Sequence, residues 1–174
     1  MKDDRCGIAD VKFEDFRVLD TVWNKKDITF RVKNFPSKTR LSKKKVVKAI
    51  EKAFSMWENV SNLRFTRRDS GPADIELSFE KKEHGQDEIF RKGEHGHAFK
   101  PRDGDVHFSD DRYWTLEEYN GINLLGVALH EIGHSIGLDH SSDSNAVMAP
   151  FYRGWHPYLK LTEDDIQGIN QLYK

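Results

Sequence analysis

The stretch His130-Glu131-Ile132-Gly133-His134-Ser135-Ile136-Gly137-Leu138-Asp139-His140, inside the run from Ile122 to His140, decides how the rest of the chain is read. Leu124, Val127, Ala128, Ile132 and Ile136 recur at the three- and four-residue steps of a helix, so His130 and His134 project from one face about a turn apart. Two neighbouring imidazoles on one face can hold one metal ion. Glu131 lies between them on the helix, near enough to a water at the metal to take its proton without being a ligand, which is the arrangement metal-assisted hydrolysis needs. Gly137 can end the helix in a left-handed conformation and turn the chain back. His140 then arrives as a third nitrogen, and a fourth position is left for water.

A lone His-x-x-x-His pair on a helix is usually a partly exposed pair that binds nothing. Here Glu131, Gly137 and His140 stand at fixed offsets from it, and each extra constraint cuts chance matches by roughly an order of magnitude on background residue frequencies. The eleven residues resemble the zinc motif of the metzincin metalloproteases, with every motif position filled. Ser141 after the third His is the residue of the matrix metalloproteinase branch, where the astacins carry Glu. Beyond it, Ala146-Val147-Met148-Ala149-Pro150-Phe151-Tyr152 resembles that family's Met-turn and the start of its specificity loop. A Met in an apolar run is ordinarily core filler. Met148, eight residues after His140, stands where the family places a Met beneath the zinc, and Pro150, Phe151 and Tyr152 stand at the substrate-binding wall.

The totals fit one soluble domain. The 174 residues are 37% hydrophobic and 33% charged, a length that buries about 70% of the unfolded surface. Lys plus Arg number 28 and Asp plus Glu 29, so the net charge of -1 exerts no long-range pull on nucleic acid or anionic membrane. No apolar stretch approaches the ~20 residues of a membrane span, and no hydrophobic segment follows Met1-Lys2-Asp3-Asp4 as a secretory signal would require. One cysteine, Cys6, rules out an internal disulfide. A single Cys is most often a passive small hydrophobe. However, Arg5-Cys6-Gly7-Ile8-Ala9-Asp10 resembles the cysteine switch that closes the matrix metalloproteinase propeptide, with Asp4 and Ala9 where the family usually has Pro. The resemblance implies a propeptide remnant over residues 1-12, with Cys6 a zinc ligand of the latent form, and a zinc metalloprotease catalytic domain over 13-174.

Along the chain, Asp27 to Asn34 alternates Ile28, Phe30 and Val32 with polar partners and reads as a strand ended by Pro36. Ser42 N-caps a helix to about Glu58, with Val46, Val47, Ile50, Ala53, Phe54 and Trp57 as its core-facing stripe. Leu63 to Thr66 and Asp74 to Phe79 are further strands, parted by the turn signal Asp69-Ser70-Gly71-Pro72. Asn59-Val60-Ser61 is a sequon, a pattern that also arises by chance. From Glu83 to Asp111 the chain turns polar and rich in His, Gly and Asp, which suits a loop-and-strand region organised by ions more than by apolar packing. Leu161-Thr162-Glu163-Asp164-Asp165 opens a closing helix, with Thr162 and Asp165 in near capping-box spacing.

Taken alone, His84, His97 and His107 are ordinary surface histidines. The resemblance places His84, His97 and His107 in a structural zinc site of three His and one Asp, the last place falling to Asp87, one residue later than the family's His-x-Asp. Of the family's calcium sites, one keeps matching carboxylates at Asp74 and Asp105. The other has lost them: Phe90-Arg91-Lys92-Gly93 replaces Phe-Asp-Gly, and Ser109 and Arg112 replace two carboxylates. A hard cation needs several oxygens, which argues against that calcium ion. In the family the pair matching Asp164 and Asp165 braces the Met-turn, although acids favour a helix N-terminus in any case.

The fold this resemblance implies is the α+β metzincin (zincin-like) catalytic domain, a twisted, mostly parallel five-stranded sheet with three helices, cut by a cleft above the zinc helix. The implied activity is zinc-dependent endopeptidase, with Glu131 as general base and His130, His134 and His140 as zinc ligands. Extended peptide or protein substrates would add to the strand around His95, Gly96 and Ala98, and Gly126, four before His130, would set the depth of the main specificity pocket unless Tyr152 or the loop holding Trp155 fills it. Protein inhibitors of metalloproteases, an extracellular location and a monomeric state follow from the same resemblance. The rival from another class is a catalytically silent, zinc-stabilised binding module, which the intact Glu131 disfavours.

Overall fold

A computed structural model describes residues 22–84, 88–91 and 93–174. Cys6 and the segment 1-12 lie outside the described residues, as does Asp87. Strand β1 (Asp27–Val32) buries Ile28 and Phe30 on one face, as period-two alternation requires. Helix α1 (Lys43–Glu58) follows, its N-terminus capped by the Ser42 side chain accepting from the Lys45 amide. Its stripe Val46, Ala49, Ile50, Ala53, Phe54 and Trp57 is buried, and the Phe54 ring stacks on Phe30 with centroids 4.0 Å apart. Strands β2 (Arg64–Arg67) and β3 (Ile75–Glu80) then pair in parallel with the two sides of β1.

The polar stretch that reads as a loop-and-strand region holds four strands, whose bounds the sequence did not mark: β4 (Glu83–His84), β5 (Glu88–Ile89), β6 (Gly96–Ala98) and β7 (Val106–Ser109). Val106 and Phe108 alternate with polar residues over too short a run to stand out in sequence, yet both are fully buried against the core. Strand β7 pairs in parallel with β3, and β6 pairs antiparallel with β7, so the five-stranded sheet runs β2-β1-β3-β7-β6. The expected mostly parallel sheet with three helices is the one found. Two-residue ladders, β4 with β5 and β8 (Trp114–Thr115) with β9 (Ile122–Asn123), complete the strands among the described residues.

Helix α2 (Leu124–Ser135) carries the motif and starts two residues later than the apolar run, because Ile122 and Asn123 pair with β8. Asn123 caps it, its Oδ1 accepting from the Gly126 amide at 2.7 Å, which places Gly126 in the first turn and not in a helix interior. One side of the helix packs into the core: Leu124, Ala128, Leu129 and Ile132 are fully buried, and the Trp57 indole of α1 donates to the Leu129 carbonyl at 2.9 Å. Helix α3 (Glu163–Leu172) closes the chain with a full capping box between Thr162 and Asp165.

Candidate active site and metal centre

The C-terminus of α2 does what Gly137 predicts. Gly137 has φ +106°; its amide donates to the His134 carbonyl and the Leu138 amide donates to the Gly133 carbonyl, both at 2.9 Å, the paired bonds of a Schellman stop. The reversal brings His140 back onto the helix. Ligand-type nitrogens of His130, His134 and His140 all lie within 4.8 Å of one another, the one such group of three or more metal-type side chains among the described residues.

The backbone sets the tautomers. A carbonyl oxygen can only accept, so His130 Nδ1–H donates to Val147 O at 2.7 Å and His134 Nδ1–H to Leu138 O at 2.8 Å. Each Nε2 is therefore left with its lone pair, and the two Nε2 atoms face one another at 3.1 Å. Lone pairs that close repel unless they share a cation. Tetrahedral zinc with Zn–N near 2.05 Å sets its nitrogens about 3.3 Å apart, so the cluster fits that ion. Burial drives His130 down to about 4 and His134 well below the usual imidazole range, so both are neutral donors at pH 7.

Behind the imidazoles lies a second layer. Asp165, buried at the start of α3, accepts from the Val147 amide (2.9 Å) and the Met148 amide (3.0 Å), while Val147 O holds His130. The chain of bonds runs from α3 through the 146–149 turn to the ring of His130, the kind of outer support that orients a metal-binding His. Met148 lies under the helix: a Cβ added to Gly133 would sit 2.3 Å from its sulfur, so only glycine lets this side chain so close. Asp164 stays exposed and accepts from the Ser141 hydroxyl at 2.6 Å.

Glu131 is 2% exposed. Its Oε1 would lie 3.3 Å from a Cβ built on Gly96, so the carboxylate rests directly against the first residue of β6. A cavity of about 570 Å³ opens beside it, lined by His95, Gly96, Gly126, His130 and Glu131 on one side and by Pro150, Phe151 and Tyr152 on the other. The loop to Lys160 forms its wall, with Leu159 Cδ2 4.0 Å from where a Gly126 Cβ would lie. Trp155 does not line it, packing edge-on against Tyr119 with centroids 4.8 Å apart. His95 is buried and meets the Tyr152 ring edge-on at 4.9 Å, and the Tyr152 hydroxyl accepts from the Asn123 amide at 2.7 Å. The spacing of the motif gives none of these outer contacts; the resemblance points to Met148, Tyr152 and Asp165, and Asp165 also shows a capping-box offset from Thr162.

The other expected ligands are brought together in part. His97 and His107 stand opposite one another across β6 and β7, ring nitrogens 3.3 Å apart, with Phe90 and Phe99 around them. The His84 backbone lies in β4, but its side chain is outside the described atoms. Asp74 is taken up by Lys25 Nζ at 2.6 Å and by the Thr29 amide and hydroxyl at 2.7 Å, and Asp105 accepts from the Glu76 amide at 3.0 Å. Neither aspartate joins a group of three metal-type side chains among the described residues.

Residues 22–174 match the matrixin family model. Over 99% of its length the chain is 40% identical to human matrix metalloproteinase-19, to rabbit interstitial collagenase (Oryctolagus cuniculus) and to human matrix metalloproteinase-20, covering 35%, 37% and 36% of those proteins. It thus spans about a third of the length of these curated relatives. With the motif filled, its three imidazoles converged and its sheet and helices in place, the chain belongs to the matrixin family of zinc-dependent metalloendopeptidases.

Proposed function

We propose that this domain hydrolyses extended segments of extracellular proteins, with His130, His134 and His140 holding zinc and Glu131 as general base. The observation that carries this reading is the position of Glu131: a buried carboxylate on the same helix as two of the imidazoles and against the strand where a substrate backbone would lie. Zinc, when bound, polarises the scissile carbonyl and makes water a nucleophile near neutral pH. Glu131 takes the proton from that water and returns it to the leaving amine, the base becoming the acid.

Strand β6 is the edge of the sheet. The His95 carbonyl accepts from the Ser109 amide of β7 and the Phe99 amide donates to the Asp105 carbonyl just before β7, so in an antiparallel ladder the N–H and C=O of Gly96 and Ala98 face away from it, free to pair with an extended substrate. The residue after the cut bond would enter the cavity beside Gly126, whose missing side chain leaves it deep. Large apolar residues, Leu or longer, would be preferred there. Extracellular matrix proteins are the proposed substrates, in keeping with the collagenase among the relatives, and protein inhibitors would occupy the same edge and cavity of what is proposed to be a monomer.

Three further assignments extend the reading. His97 and His107, joined by His84 and Asp87, are proposed as a structural zinc site; Asp74 and Asp105 are proposed as calcium ligands in exchange for Lys25; and Cys6 is proposed to block the catalytic zinc until residues 1-12 are removed. The similarity to the relatives spans 99% of the chain and so reaches into the segment before residue 22. The deciding experiment is metal analysis together with cleavage of a quenched collagen-like peptide, with and without a chelator. Two zinc ions per chain and chelator-sensitive cleavage are expected. Bound zinc without turnover would replace this reading by the silent binding module.

A further inference from the structure

The open end of the β6–β7 hairpin is closed by one side chain. Arg112, in the turn after β7, donates from Nε (3.2 Å) and Nη2 (2.9 Å) to the carbonyl of Glu94, two residues before β6 begins. Glu94 is also bonded to Arg91, with the Arg91 amide on the Glu94 carboxylate at 2.6 Å and the Glu94 amide on the Arg91 carbonyl at 3.1 Å. Glu94 is buried. Just beyond the grip come His95, which lines the cavity and accepts from the Ser109 amide at 2.9 Å, and Gly96, which rests on Glu131.

We infer that Arg112 is a positioning residue for the substrate-binding edge: its guanidinium holds Glu94, His95 and Gly96 in register with β7 and against α2. The chemistry supports it. A guanidinium presents two N–H donors in one plane to a single carbonyl, here Nε and Nη2 to the oxygen of Glu94. The inference rests on the proposal that substrate adds to β6, and its test separates the two.

Amide hydrogen exchange at Ser109 and Phe99, the two backbone bonds flanking the β6–β7 ladder, reads the positioning without substrate. Arg112→Ala should speed exchange at Ser109, the bond nearest the grip, by ~10-fold or more, as loss of a charge-assisted bond predicts. Arg112→Lys should show a smaller change, and free guanidinium at millimolar concentration should restore slow exchange in Arg112→Ala alone. In parallel, KM for a peptide spanning the cut should rise ~10-fold in Arg112→Ala, while inhibition by a small hydroxamate without peptide amides should be unchanged. Unaltered exchange at Ser109, no guanidinium rescue, or equal loss for peptide and hydroxamate would each overturn the role. Strand addition is judged separately in the wild type: if N-methylating the peptide's pairing amides leaves its cleavage unchanged, that reading fails, and the exchange data still decide on Arg112.

Discussion

Glu131 is 2% exposed, and its carboxylate rests against Gly96 at the start of β6. Glu131→Gln keeps the shape and removes the base. It should bind zinc as the wild type does, by metal analysis, and lose at least ~10²-fold in peptide cleavage; unchanged turnover would remove Glu131 from the mechanism. Gly126 is the second residue where one atom decides. A Cβ there would come to 3.3 Å from Asn123 Oδ1, the cap of α2, and 4.0 Å from Leu159. Gly126→Leu should therefore weaken inhibitors with long aromatic groups by ~1–3 kcal/mol while short ones bind as before. Equal losses for long and short inhibitors would mean that the cap, not the pocket, had been disturbed.

At the scale of elements, α2 and the 146–149 turn act as one unit. The turn hangs from α3 through Asp165, holds His130 through Val147 O and presses the Met148 sulfur onto Gly133. Gly133→Ala places a methyl 2.3 Å from that sulfur and 3.1 Å from Trp57, so it should destabilise the domain by roughly 1–3 kcal/mol through overpacking. Truncating Met148 to Ala in the same chain makes room. The double variant should be more stable than the sum of the two singles predicts, by ~0.5–3 kcal/mol in urea unfolding. Strict additivity would show that the helix shifts and does not clash with the turn.

At the scale of the molecule, Tyr173 joins the stretch before β1 to the end of α2: its hydroxyl donates to the Ile136 carbonyl (2.8 Å), just past α2, and accepts from the Trp23 amide (3.0 Å). Trp23 in turn donates from its indole to the Ser135 carbonyl at 3.0 Å. Burial pushes the Tyr173 phenol up to about 12, against a lesser downward pull from the Trp23 amide. The unfolded chain then loses this proton first, near 10, so the contribution is complete below pH ~10 and disappears as pH rises through ~12, up to about 3 kcal/mol. Tyr173→Phe should lose that pH dependence between 10 and 12 while lysines and other tyrosines titrate as before. If both proteins fall in parallel by chemical denaturation, Tyr173 is not the linked group.

What the sequence by itself determined is what depends on local spacing. A four-residue step puts His130 and His134 on one helix face, Gly137 ends that helix because only glycine adopts its left-handed turn cheaply, and the stripe from Val46 to Trp57 marks a helix with one buried side. Asp165 announced itself by its offset from Thr162. What only the tertiary structure decided depends on residues far apart in the chain. Strands β6 and β7 carry too few apolar residues for their bounds to show in sequence; β7 is fixed by pairing with β3, and β6 by pairing with β7. The grip of Arg112 on Glu94, the rest of Gly96 on Glu131 and the closeness of Met148 to Gly133 have no sequence period at all. Each is a contact between elements, and its energy exists only once the chain has folded and excluded water from between them.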